Sequence, residues 1–142
     1  MCKVNLTLCC VRFWQISKGF QYLPMEKSAL KEKSYRFAID IVWFCRKVQE
    51  NNREYIITRQ LLRSGTSIGA MIREAEFAES RADFSHKHSI ALKEANESIY
   101  WLDILNESYF DNKDDQISGL RRRCVELLAM LVSSVKKTKR VK

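Results

Sequence analysis

Apolar and small residues recur at alternating steps of four and three along most of this 142-residue chain. Three polar segments, at residues 51–55, 79–83 and 111–115, divide the repeat into four stretches. Steps of four and three keep side chains on one narrow stripe of an α-helix, which is the seam that packs against other helices in a bundle. The chain contains only 1 proline and 4 glycines, which leaves few positions for the tight turns of a β-rich fold. The pattern therefore predicts an all-α four-helix bundle.

The four predicted seams define the expected core and the order of the helices. Because the connections are short, neighbouring helices should run antiparallel, in an up-down-up-down order. Ser80 and Asp83 are spaced as a capping box that opens the third helix, and Asp114 or Asn112 can cap the fourth. The expected seam residues are Leu30, Ser34, Phe37, Ile41, Phe44 and Val48; Leu61, Gly65, Ile68, Ile72 and Ala75; Phe84, His88, Ala91, Ala95, Ser98, Leu102 and Leu105; and Ile117, Leu120, Cys124, Leu127 and Leu131.

Two glycines, Gly65 and Gly69, lie within the second predicted helix, although each costs a helix about 1 kcal/mol relative to alanine. A glycine-rich segment can cradle a phosphate, or it can let two helix backbones approach closely. A phosphate-binding loop requires a lysine directly after its last glycine, and Ala70 stands there instead. Close packing is the favoured interpretation, and the equally spaced Ala91 and Ala95 indicate the third helix as the partner.

The excess positive charge lies at the two ends of the chain. The formal net charge is +8, which favours an anionic partner such as RNA or DNA. Residues 25–130 contain 17 basic and 17 acidic residues, whereas residues 1–24 and 131–142 contain 3 and 5 basic residues and no acidic residue. We therefore divide the chain into a leader (1–24), a bundle domain (25–135) and a basic tail (136–142).

The leader shows no sustained period, contains three of the 5 cysteines and ends at Pro24, directly before Met25. It lacks the uninterrupted apolar region and the small-residue cleavage site of a secretory signal. It is also too short for a transmembrane helix, which takes ~20 apolar residues. We expect translation to start at Met25, so that the leader is upstream sequence; the alternative is a loosely docked arm. No membrane association is expected.

Some predicted helices carry further apolar residues beside the seam. A single bundle core cannot cover a helix that is apolar most of the way round, so part of this area should contact another copy of the chain. We therefore expect a homo-oligomer. The apolar residues outside the seams are Tyr35, Ala38, Val42, Cys45, Ile39 and Trp43 on the first helix, and Val125, Leu128, Val132 and Val135 on the fourth.

The pattern lacks the groups that support catalysis or metal binding in helical bundles. No seam carries a carboxylate, and no Glu-x-x-His pair of a di-metal bundle occurs. His86 and His88 lie about 200° apart around a helix, so they cannot chelate one ion together; His88 is expected to be a hydrogen-bonded core residue. The cysteines form no C-x-x-C pair, and Cys45 and Cys124 are expected to be buried thiols in a reducing cytoplasm. We expect neither an enzyme nor a cofactor.

Basic residues near the C-terminus are the main candidates for a nucleic-acid site, because phosphate contacts by Lys and Arg are sequence-tolerant and salt-sensitive. No aromatic residue interleaves with this C-terminal cluster, so base stacking is not indicated there. The same residues fit an ordinary solvated helix face, and the alternative function is a protein-interaction scaffold. The candidates are Arg121, Arg122, Arg123, Lys136, Lys137, Lys139, Arg140 and Lys142, with Arg59, Arg63 and Arg73 on the second helix as lesser candidates.

The stretches "YRFAIDIVWF" and "QLLRSGTSIGAMIREAEFAESRADFSHKHSIALKEANESIYWL" combine a small-residue block, an S-x-x-D-F step and a "YWL" in order. Over about residues 28–135, the chain resembles the 23S rRNA intervening-sequence proteins, whose relatives include accessory proteins of diversity-generating retroelements. The resemblance implies an antiparallel bundle that assembles into a ring, commonly a pentamer. It also implies that basic surfaces contact nucleic acid or a nucleic-acid-handling protein, without catalysis. The chain departs from the family at two positions. The family usually has Asn, whose amide could bond across helices, where this chain has Met71, and it usually has an apolar residue where this chain has His88.

Overall fold

Four α-helices form the described part of the chain, which the computed structural model gives as residues 28–110 and 114–140. No strand occurs within these residues, and the all-α four-helix prediction is confirmed. The helices are α1 (Ala29–Asn52), α2 (Ile56–Glu74), α3 (Arg81–Tyr109) and α4 (Asp115–Arg140), and a 3₁₀ turn (Ala75–Phe77) follows α2.

The contacts between neighbouring helices show the direction in which each helix runs. Residues later in one helix contact residues earlier in its neighbour. Asp40 of α1 pairs with Arg123 of α4, and Lys47, further along α1, donates to Gln116, nearer the start of α4. α1 and α4 are therefore antiparallel. The other adjacent helices are antiparallel for the same reason, so the bundle has an up-down-up-down order. Their contacts are Cys45 with Thr58 and Lys31 with Glu76 (α1 and α2), Arg63 with Glu97 and Glu74 with Lys87 (α2 and α3), and Asp103 with Arg121 and His88 with Ser134 (α3 and α4).

The predicted seams form the core of the bundle. All of the seam residues are buried except Phe84, which is half-buried in the first turn of α3 and lies 4.2 Å from the His88 ring between centroids. The thiols of Cys45 and Cys124 are buried as expected and donate to backbone carbonyls of adjacent helices. Burial of each large apolar side chain contributes about 1.5–3 kcal/mol, so this continuous core is the main source of stability.

The connection from α1 to α2 depends on a buried carboxylate. Arg53 adopts the left-handed conformation, with φ 53°, and its N–H donates to the Gln49 carbonyl to end α1. The Glu54 carboxylate, 6% exposed, then accepts three bonds of 2.8 Å from the N–H groups of residues 56–58. Burial alone raises the pKa of Glu54, but these backbone donors outweigh it, so the net shift of the pKa is downward. Sequence analysis did not assign this role to Glu54.

The predicted caps of α3 and α4 are present. The Ser80 hydroxyl accepts a 3.0 Å bond from the Asp83 N–H, and the Asp83 carboxylate accepts one of 3.3 Å from the Glu79 N–H. Asp114 Oδ1 accepts two N–H bonds, of 2.7 and 3.0 Å, from the first turn of α4. The alternative cap, Asn112, lies outside the described residues.

Gly65 and Gly69 face α1, so the prediction that they pack against α3 was wrong. A β-carbon added to Gly65 would lie 3.0 Å from Cγ2 of Ile41, and one added to Gly69 would lie 3.6 Å from the carbonyl oxygen of Ser34. The interpretation as a close-packing site holds, but the partner helix differs. Helical periodicity identifies a small-residue stripe without identifying which of two adjacent helices it faces.

The α2–α3 interface includes a buried polar contact. The Ser98 hydroxyl donates to the Ser64 hydroxyl at 2.9 Å, and both side chains are fully buried. Ala95, which was expected to meet the glycines, contacts α4, where its carbonyl accepts from the Cys124 thiol at 3.3 Å. Small residues of α3 therefore contact both neighbouring helices, Ser98 at α2 and Ala95 at α4.

The two ends of the chain relate differently to the described bundle. Residues 1–24, the expected leader, lie outside the described residues. At the other end α4 continues to Arg140, so residues 136–140 of the expected basic tail are helical. None of the helices in the described part is both long enough and apolar enough to cross a membrane.

Candidate nucleic-acid interface

The three consecutive arginines of α4 differ in their surroundings. Arg121 Nε donates to Oδ1 of Asp103 on α3 at 2.7 Å, and this bond raises the pKa of Arg121. Arg123 is paired with Asp40 on α1. Successive helical residues point about 100° apart, so Arg122 lies between these two directions, on the outer face. It is exposed and forms no ion pair with any described residue.

The C-terminal part of α4 adds two more exposed cations. Lys136 and Lys137 form no ion pair within residues 28–110 and 114–140. Lys136 lies two heptads beyond Arg122, so both belong to the same outward stripe, roughly 21 Å apart along the helix. Lys139 and Arg140 are helical, but their side chains lie outside the described set, as does Lys142. Arg122, Lys136 and Lys137 are called the α4 basic stripe below.

The three candidate arginines of α2 also separate into distinct environments. Arg63 contacts Oε2 of Glu94 at 3.5 Å and hydrogen bonds to Glu97, and the bond to Glu97 raises the pKa of Arg63. Arg59 is exposed and, among the described residues, has no ion pair. Arg73 lies over the ring of Tyr35, with its guanidinium carbon 5.4 Å from the ring centroid. Within the described part of the chain, only Arg63 of the three is neutralised by acidic groups.

The off-seam residues of α1 that were expected to contact another copy form, together with arginines of α1 and α2, a surface on the outside of these two helices. Trp43 is 63% exposed, and the guanidinium carbon of Arg46 lies 5.8 Å from its ring centroid. Beside Trp43 is an open groove of about 290 Å³. Its lining residues are Ala38, Ile39, Val42, Trp43, Arg46 and Thr66.

The same surface includes the arginines of α2. Arg59, Thr66 and Arg73 are spaced by seven residues, which places them on one stripe of that helix. Tyr35, under Arg73, is 49% exposed. Tyr35, Trp43, Arg46, Arg59 and Arg73 are called the α1–α2 face below. The sequence placed Tyr35 and Trp43 off the seam of α1 and Arg59 and Arg73 among the nucleic-acid candidates of α2, but it did not show that these residues form one surface, and Arg46 was not predicted.

Apolar residues remain exposed at several other places. Val125 on α4 is 43% exposed, while Leu128, Val132 and Val135 on the same helix are half-buried. Ile56 at the start of α2 and Phe77 in the 3₁₀ turn are exposed to 80% and 74%. The stripe expected on α4 is therefore present and partly open to solvent.

The buried polar and sulfur groups serve the core. His88 is buried, and its Nδ1 lies 2.8 Å from the hydroxyl of Ser134, which confirms the expected hydrogen-bonded core histidine. Burial lowers the pKa of His88 and raises the pKa of Cys45 and of Cys124 to about 12. Thiols with such a pKa are protonated and unreactive at neutral pH. Within residues 28–110 and 114–140, no three His, Cys, Asp or Glu side chains are grouped so that they could hold a metal ion.

Comparison with known proteins adds a family assignment to this geometry. The profile of the 23S rRNA-intervening sequence protein family matches residues 26–133. Among solved structures, the chain is similar to a protein of unknown function from the S23 ribosomal protein family of Bacteroides thetaiotaomicron VPI-5482, with 44% identity and a TM-score of 0.73. That match covers 76% of this chain and 99% of the other. No curated protein matches the chain. Since the family profile spans most of the bundle, this chain belongs to the 23S rRNA-intervening sequence protein family.

Proposed function

We propose that this chain is a non-enzymatic, homo-oligomeric bundle protein that binds nucleic acid, with RNA as the preferred class, through basic groups that lack an acidic partner. The observation that carries the proposal is the contrast along α4. Arg122, Lys136 and Lys137 are exposed without an ion pair among the described residues, whereas Arg121 and Arg123 are paired to neighbouring helices. An unpaired cation can bind a phosphate without first breaking an internal ion pair.

The overall charge supports a polyanionic partner. From Met25 to the end, the chain has a formal charge of +5, and several copies around one axis would add their fields. Each phosphate that is neutralised releases counterions from the nucleic acid, which makes the affinity fall as the salt concentration rises. The family name refers to a sequence within 23S rRNA, which supports RNA over other anions and a cytoplasmic location.

Self-association is supported by the apolar stripe on α4. Val125, Leu128, Val132 and Val135 lie in a row, and an exposed apolar row of this kind is usually covered by a partner. The resemblance described above favours a ring, commonly a pentamer. Such a ring would bring several copies of the α4 basic stripe close together, because that stripe lies on the same helix as the apolar row.

A protein-interaction scaffold is the second candidate. Ile56 and Phe77 are more exposed than any residue of the α4 apolar row. Large exposed apolar side chains are common anchors in protein interfaces. In this alternative the ring presents these residues to another protein, such as a nucleic-acid-handling enzyme, and makes no direct contact with RNA.

Binding of the full chain to RNA at two salt concentrations tests the proposal. With three phosphate contacts per chain from the α4 basic stripe alone, affinity for single-stranded RNA should fall at least about 20-fold between about 50 mM and about 200 mM salt. A mobility shift measures this, and light scattering on the same sample gives the number of copies. No shift at the lower salt would reject nucleic-acid binding and favour the scaffold, and a monomeric mass would reject the ring.

A further inference from the structure

We infer that the α1–α2 face binds single-stranded nucleic acid by stacking bases on Trp43 and Tyr35, with Arg46, Arg59 and Arg73 contacting phosphates. This inference rests on the proposed nucleic-acid binding, to which it adds the strand form and a surface separate from α4. The α4 basic stripe contains no aromatic residue, so it can contact phosphates of single and double strands alike.

The rings of Trp43 and Tyr35 are exposed and can contact a base of a bound strand. Trp43 and Tyr35 are 63% and 49% exposed, and they lie eight residues apart on α1, roughly 12 Å along its axis. Each ring has a guanidinium near it, from Arg46 at 5.8 Å and from Arg73 at 5.4 Å. A guanidinium within about 6 Å of a ring centroid is attracted to the ring face. Both rings are therefore exposed beside a cation, and exposed aromatic rings next to positive charge are what a stacking platform requires.

The α1–α2 face carries positive charge that no nearby carboxylate among the described residues neutralises. Arg46, Arg59 and Arg73 have no carboxylate within ion-pair distance in the described part of the chain. The sequence from Ile56 to Arg73 contains no acidic residue, and none lines the groove beside Trp43. The α1–α2 face is therefore complementary to a polyanion.

The apolar groove beside Trp43 favours binding of a single strand over binding of a duplex. Ala38, Ile39 and Val42 line the 290 Å³ groove next to the Trp43 ring. An unstacked base presents an apolar ring face that such a groove can cover, whereas the ring faces of bases in a duplex are already covered by their neighbours. Stacking also depends little on base identity, because every base has a π face. The predicted ligand is therefore single-stranded, with weak sequence preference.

The test compares Trp43→Ala and Tyr35→Ala with Tyr100→Ala in the full chain. Tyr100 is a matched control, since it is an aromatic residue 57% exposed on the outside of α3. The probes are a fluorescently labelled oligouridine of about 20 nucleotides and an RNA duplex of the same length, followed by anisotropy. We expect Trp43→Ala and Tyr35→Ala each to weaken oligouridine binding by about 5- to 150-fold and duplex binding by no more than about twofold. Tyr100→Ala should change neither affinity.

Two further measurements separate this inference from the proposed function. Each of Arg46→Ala, Arg59→Ala and Arg73→Ala should reduce the slope of log K against log salt on oligouridine by about 0.7. Light scattering on Trp43→Ala should give the mass of the unmutated protein; a smaller mass would overturn the inference, because the face would then be buried between copies. The inference would also be overturned if Trp43→Ala lost affinity equally for oligouridine and for the duplex, or lost affinity for neither. The proposed function fails as well only if the unmutated protein binds neither probe.

Discussion

Gly65 and Ile41 meet across the α1–α2 interface so closely that a β-carbon on the glycine would lie 3.0 Å from Cγ2 and 3.1 Å from Cγ1 of the isoleucine. Both residues are buried, and Ile41 has no exposed surface. A glycine in α2 costs about 1 kcal/mol of helix propensity relative to alanine. The close contact with Ile41 explains why position 65 is occupied by glycine. The absence of a side chain lets the two backbones approach.

Replacing Gly65 with leucine should destabilise the bundle. The larger side chain would displace Ile41 from the core, at a cost of about 1–3 kcal/mol that exceeds the gain in helix propensity. Urea unfolding followed by circular dichroism measures the change. Gly119→Ala on α4 is the matched control, since the nearest atom to its added β-carbon is the Arg123 guanidinium at 4.0 Å; it should stabilise by up to about 1 kcal/mol. A Gly65→Leu variant as stable as the unmutated chain would contradict the packing account.

Replacing Glu54 with glutamine should weaken the start of α2. An uncharged amide cannot accept all three N–H bonds of residues 56–58 as the carboxylate does, so unfolding should become easier by about 1–2 kcal/mol near neutral pH. Glu50→Gln, on the exposed side of α1, provides a control of equal charge. Equal stability of the two variants would show that the carboxylate of Glu54 is not required.

Glu54 should also contribute to acid unfolding. Because its pKa in the folded chain lies below the ordinary value of 4.5, the folded state holds the carboxylate ionised more firmly than the unfolded chain does. This contribution is complete above pH 4.5 and is lost as the pH falls below that value through the folded pKa. Unfolding titrations between about pH 3 and pH 6 should therefore show a smaller acid-induced loss of stability for Glu54→Gln than for Glu50→Gln. Parallel curves would argue against the lowered pKa.

His88 should make the bundle less stable in mild acid. Burial lowers its pKa below the ordinary 6.5, so the unfolded chain takes up this proton more readily than the folded one. The stabilising contribution is complete above pH 6.5 and decreases as the pH falls through the folded pKa. His88→Leu should flatten the change in stability between about pH 5 and pH 7.5, whereas His86→Gln, at an exposed position on the same helix, should not. An unchanged pH profile for His88→Leu would contradict this role.

The fold was largely predictable because the seam depends on local spacing. Residues such as Ile41, Leu102 and Leu127 recur at steps of four and three, and that spacing places them on one side of a helix whatever the neighbours are. The caps at Ser80 and Asp114 were predictable for the same reason, since a cap acts within one turn. The partner of Gly65 was not, because the choice between α1 and α3 depends on how the helices are arranged around the core.

The candidate site was predictable only in part, because ion pairs join residues that are distant in sequence. Arg121, Arg122 and Arg123 are equivalent in the sequence, yet Asp103 and Asp40, from two different helices, neutralise the outer two. The α1–α2 face was not predicted as a single site for a related reason. Its rings come from α1 and two of its arginines from α2, so no single stretch of sequence combines them.

The central claim, that unpaired basic groups bind nucleic acid, is tested most directly by two triple variants with equal loss of charge. One replaces Arg122, Lys136 and Lys137 with glutamine, and the other replaces the paired residues Arg63, Arg121 and Arg123. All six positions lie off the seams, so circular dichroism and light scattering should report a folded oligomer in both cases.

The decisive measurement is the slope of log K against log salt for single-stranded RNA in these two variants. The account predicts that loss of the α4 basic stripe weakens binding and flattens the slope by about 2, from three contacts at about 0.7 each. The paired-residue variant should keep the slope of the unmutated chain, because its arginines are engaged by carboxylates. Equal slopes in the two variants, or an unchanged slope after loss of Arg122, Lys136 and Lys137, would contradict the claim.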